Sequence, residues 1–128
     1  MNDTMFLKLF EDASLHSFPH ADHIRMAWLY LRRDGWEDGY RQIQAGLKHF
    51  ALSHGQADKY HETITRFWAQ LVQHCIDHQP EIDNFETFSE AFPILFRADA
   101  MKQHYSDEVL RDVTARHSWV EPDKIPIP

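Results

Sequence analysis

Cysteine is nearly absent. Cys75 is the single thiol in 128 residues, so no disulfide closes within the chain and no thiolate cluster can hold a metal. Any metal would be bound through nitrogen and oxygen. Glycine occurs only 4 times, and no glycine-rich phosphate loop is present. No apolar run approaches the roughly 18–20 residues that a bilayer-spanning helix needs. Positive charge is also in short supply: 13 Lys and Arg stand against 20 Asp and Glu, a formal net charge of -7. Such a balance argues against nucleic-acid backbones and anionic membranes, which attract basic surfaces. A small-molecule substrate or ligand, or a protein, is the expected partner. The N-terminal MNDTMFLKLFEDASL lacks a basic start and a small-residue cleavage site, so a cytoplasmic location is expected. No repeat and no period-two alternation is visible.

What is present is apolar and aromatic. A hydrophobic fraction of 43% with 9 Phe, 4 Trp and 4 Tyr excludes a disordered chain. At 15.2 kDa the expectation is one domain, 1–128, burying roughly two thirds of the surface of the unfolded chain. The chain is also histidine-rich, with 10 imidazoles. Of these, His49, His54, His78 and His117 read as solvated residues on helix surfaces.

The periodicity is helical throughout, and the fold class expected is all-α: an antiparallel bundle with short accessory helices and an extended proline-rich C-terminal tail. Residues 3–12 place Met5, Phe6, Leu9 and Phe10 on an amphipathic helix, with Asp3 or Thr4 as its cap. Pro19–Arg33 is apolar nearly all round from Ile24 to Leu31; Ser17 is placed to cap it, and Asp34-Gly35 to end it. Trp36–Ser53 carries a stripe of Trp36, Tyr40, Ile43, Leu47, Phe50 and Ala51. Its Gly39 and Gly46 are either tolerated or mark close helix packing. Asp58–His78, capped by Asp58, is the element around which the chain is organised, with Tyr60, Ile64, Phe67, Leu71 and either His74 or Cys75 on one stripe. Phe85, Phe88 and Phe92 follow an Asn84 cap. Residues 94–105 read as an irregular helix, and Ser106 opens a last one through about His117 with Val109, Leu110 and Val113 inward. The tail VEPDKIPIP is expected to lie with Trp119, Val120 and Ile125 tucked in.

Two polar clusters stand out. His20 and His23 are three apart in the first turn of one helix, and Tyr60, His61, Glu62, Thr63 and Thr65 crowd the start of another. If the intervening helix runs the opposite way, both starts sit at one end of the bundle. His20, His23 and His61 are then candidate ligands of a transition metal, which with nitrogen and oxygen donors would be Zn, Fe, Mn, Cu or Ni. Glu62 and Tyr60 are the candidate catalytic groups, with Arg25, Trp28, Thr65 and Trp68 lining a substrate pocket. Metal-free versions use His61 or His23 as general base, with Arg25 or Arg66 holding an anion. The functional expectation is a small-molecule-acting enzyme, metal-dependent through this His/Glu site. The alternative is a non-enzymatic ligand-binding or protein-interaction module whose His/Glu cluster is structural. In that case the Phe85/Phe88/Phe92 helix and the tail would be the exposed apolar surface.

The segments FPHADHIRMAWLYL, KYHETIT and the C-terminal VEPDKIPIP together resemble a group of small all-helical bacterial proteins of uncharacterised function, over about residues 18–128. The resemblance implies that the pattern belongs to a whole domain, and it brings no activity, cofactor or site residue with it. The paired Glu-x-x-His motifs of ferritin-like di-iron proteins are missing.

Overall fold

The structure, a computed structural model, describes residues 1–128. It is all-α: six α-helices and three short 3₁₀ turns, with no strand. The residues form two compact units, Met1–Tyr60 and His61–Pro128.

The first unit begins with α1 (Asp3–Glu11). Its cap is Asn2 rather than Asp3 or Thr4: Asn2 is extended, and its side chain accepts from the Met5 N–H at 2.8 Å. The inward stripe is Phe6, Leu7 and Phe10, one position round from the expected one, leaving Met5 46% exposed.

Helix α2 spans His20–Ser53 and is broken at Gly35, whose φ of 80° and ψ of -177° only glycine adopts readily. The two expected helices are therefore present, with the break where Asp34-Gly35 placed it. Pro19 is the cap residue of α2, and no side chain caps that end, Ser17 included.

The two segments of α2 double back on each other. In an unbroken helix residues nine apart lie about 13 Å apart, yet a Cβ built on Gly39 would stand 2.9 Å from the Tyr30 carbonyl oxygen. Phe50, near the end of the second segment, reaches Phe18, just ahead of the first, with ring centroids 5.0 Å apart. Phe10 of α1 stacks on both rings, at 5.1 Å from Phe18 and 5.9 Å from Phe50. Gly46 lies against Phe10, so both glycines mark close packing. Arg33, Asp34 and Gln42 join the segments at the bend: Gln42 Nε2 donates to Asp34 at 2.5 Å, and Arg33 donates to Gln42 Oε1 at 2.9 Å.

The second unit is built on α3 (Glu62–His78), with Phe67, Leu71, Val72 and Cys75 buried. Asp58 does not start this helix. It lies in a 3₁₀ turn, Ala57–Lys59, after which Tyr60 and His61 are both extended. Helix α4 (Phe85–Ala91) is capped by Asn84 as expected. Residues 94–105 form 3₁₀ turns, Pro93–Phe96 and Ala98–Gln103, rather than an α-helix.

The expected last helix is two. Asp112 leaves helical geometry after α5 (Asp107–Arg111) and caps α6 (Val113–His117) with its own side chain. That break turns Val113 outward, to 67% exposed, against the expectation that it faces the core. The chain after Ser118 is tied down by hydrogen bonds to residues 103–106. The Lys124 and Ile125 N–H groups donate to the carbonyls of His104 and Gln103, and Asp123 accepts from the Ser106 N–H. Ile125 is therefore anchored yet 58% exposed, not tucked in.

Candidate functional site

His61 is the cap of α3. Its extended backbone lets Nδ1 accept from the Ile64 N–H at 3.1 Å, satisfying one of the amides that a helix start leaves unpaired. Nδ1 is then the unprotonated nitrogen, so Nε2 carries the proton and donates to the Leu110 carbonyl at 2.9 Å. The residue is 6% exposed. Burial lowers its pKa, and the Leu110 carbonyl pulls the other way. Both ring nitrogens are thus spent on the fold, and as placed the ring offers no lone pair to a metal.

Thr63 was counted only as part of the polar cluster, yet it is fully buried and carries the second tie. Its hydroxyl donates to the Ser118 carbonyl at 2.9 Å and accepts from the Val120 N–H at 3.2 Å. The Thr65 N–H closes the first turn onto the His61 carbonyl. Glu62 is half-buried at the first position of α3. Trp68, half-buried, meets Phe67 edge-on with centroids 5.0 Å apart. Arg66 lays its guanidinium over Trp119, 4.9 Å from the ring centroid. The tail segment is fixed by Tyr105, whose hydroxyl donates to the Val120 carbonyl at 2.5 Å.

The remaining sequence candidates lie in the first unit. His20 opens α2, and His23 stands one turn on with its ring stacked on Phe18 at 4.0 Å. Burial, and then the neighbouring His20 charge, push the His23 pKa down to about 4, so the ring is neutral at physiological pH. Arg25 is engaged with α1: it donates to Asp3 at 2.7 Å and to the Met1 carbonyl at 2.9 Å, and its guanidinium covers the Phe6 ring. Trp28 is buried, with Arg32 over its ring. Tyr60 lies under the Lys48 ammonium, 5.2 Å from its ring centroid. His20 and His23 thus belong to one unit, while His61, Glu62, Thr65 and Trp68 belong to the other. No group of three or more His, Cys, Asp or Glu side chains is arranged to hold a metal ion.

Two features were not anticipated. Tyr30 donates to Glu11 at 2.5 Å, and burial together with that carboxylate raises its pKa. His74 and His78 face each other on α3 with ring centroids 4.4 Å apart, a pairing that their four-residue spacing signals directly. The expected interaction edge is mostly consumed internally: Phe88 is fully buried, with Phe85 and Phe92 on either side of it. No helix is long and apolar enough to cross a membrane. No family model, curated protein or solved structure matches the chain.

Proposed function

We propose that this protein is a non-enzymatic binding module and that its Tyr60–Thr65 stretch is a structural clasp. The observation that carries the reading is the double engagement of the His61 ring, one nitrogen on the Ile64 N–H and the other on the Leu110 carbonyl. A catalytic base or metal ligand needs a nitrogen lone pair directed at substrate or ion, and this ring has used its own on the helix start. Thr63 supports the same reading, because its hydroxyl is saturated by residues 118 and 120. The ligand would be a small molecule or a protein; the acidic balance disfavours nucleic acid.

The test compares His61→Asn with His61→Ala in urea melts, with and without a chelator. Asn keeps an oxygen that caps, so it should retain more stability than Ala, and neither value should respond to the chelator. Wild-type stability that falls on chelation, and loses that response in both variants, would overturn the clasp.

A second reading has one observation in its favour. Burial keeps His23 neutral, the form that binds a transition ion. On that reading the chain is a small-molecule enzyme using His20 and His23, with Zn, Fe, Mn, Cu or Ni as cofactor. Loss of stoichiometric metal in His23→Ala, in protein purified without a histidine tag, would favour it over the module.

A further inference from the structure

We infer that His74 and His78 form a two-nitrogen clamp for a divalent late transition ion (Zn2+, Ni2+ or Cu2+) near the C-terminal end of α3. This goes beyond the reading above and uses none of its residues.

Four residues along an α-helix correspond to a rise of about 6 Å and a turn of about 40°, so two imidazoles at that spacing stand one above the other on one face. The same spacing lets the paired histidines of helical zinc sites reach one ion. Here the rings are already together, with centroids 4.4 Å apart, and they are tilted by 46° rather than stacked flat. Small χ rotations of two adjacent, tilted imidazoles bring one nitrogen from each to the roughly 2 Å bond length of a shared ion.

The surroundings suit a cation. His78 is the final residue of α3, where the unpaired carbonyls concentrate partial negative charge. Access is open on one side, since His78 is exposed, while half-buried His74 is held more firmly. Cys75 is excluded from the ligand set because it is buried, away from the exposed side where His78 stands, so the donors are imidazole nitrogens. Imidazole donors favour Zn2+, Ni2+ and Cu2+ over Mg2+ or Ca2+. With two protein ligands, the other coordination positions fall to water, and the ion exchanges readily.

The experiment uses the full chain without a histidine tag. Substoichiometric Cu2+ is added while the histidine ring signals are followed by NMR, and Zn2+ binding is measured by calorimetry. The His74 and His78 signals should broaden before those of the other histidines. His74→Ala and His78→Ala should each weaken the tightest Zn2+ event by roughly 10-fold or more, because a second tethered ligand raises the effective concentration of the first. His49→Ala should leave it unchanged. First broadening at other histidines, or equal Zn2+ affinity in the His74→Ala/His78→Ala double variant and the wild type, would overturn the assignment. His78 is exposed and His74 only half-buried, so the variants are expected to fold, and circular dichroism checks this.

Discussion

Gly46 sits so close to the Phe10 ring that a methyl group in place of its hydrogen would stand 2.5 Å from Cε2. Phe10 cannot move aside freely, because it is fully buried and stacked against both Phe18 and Phe50. Gly46→Ala should therefore destabilise the protein by about 1–3 kcal/mol, although alanine is the better helix former. Paired with Phe10→Leu, the same change should be less harmful, and a double-mutant cycle in urea measures the coupling. Additive effects would mean that the two side chains do not meet.

The ring of His61 performs two tasks, which His61→Ala removes together. A lost cap costs about 1 kcal/mol, and a half-buried carbonyl left without its donor about 1–3 kcal/mol. A total near 2–4 kcal/mol is expected by chemical denaturation. His61→Asn should recover the cap share alone.

Thr63→Val keeps the shape and removes the hydroxyl. The Ser118 carbonyl and the Val120 N–H both lose their partner, so about 1–3 kcal/mol should be lost. The change should also loosen residues 118–125. Faster amide exchange at Val120, Lys124 and Ile125 than in the wild type would show this, and unchanged exchange would refute it.

Acid should weaken the fold through His23. The unfolded chain takes up a proton near pH 6.5, whereas the folded ring resists protonation down to about pH 4. Between those values the unfolded state binds more protons, so stability is intact above pH 6.5 and falls as the pH drops toward 4. At ~1.4 kcal/mol per pH unit, the loss is at most on the order of 3 kcal/mol. His61 contributes with the same sign, since its pKa is also lowered. His23→Gln should flatten the pH dependence of urea midpoints across this window, and a wild-type slope in that variant would rule the account out.

The helical class, the Gly35 break, the Asn84 cap and the Phe67/Leu71/Cys75 stripe were legible in the sequence because each depends on spacing within one turn or on one residue's φ preference. The boundaries that failed did so where a side chain had more than one use. Asp58 has the chemistry of a cap, but His61 caps α3 because its imidazole also finds Leu110, and no local pattern foretells a carbonyl 49 residues away. Val113 matched an inward periodicity that assumed one helix, and the Asp112 break reset the phase. The polar crowd at Tyr60–Thr65 was visible as unusual, yet the sequence does not tell a group that awaits a ligand from one already satisfied by the backbone. Thr63, the more deeply buried of the two ties, has no signature apart from its neighbours.

The long reach of those ties also sets an order of events during synthesis. Residues 1–60 form a compact unit of their own, so the contacts within it become available early in synthesis. Helix α3 gains its tie to the tail only later, because Thr63 waits for a carbonyl 55 residues downstream and an amide 57 residues downstream. In the interval its apolar stripe is open to solvent and to chaperones. Translation that stalls before residue 118 would leave Thr63 without either partner, and α3 should then be cleaved by proteases faster than in the finished chain.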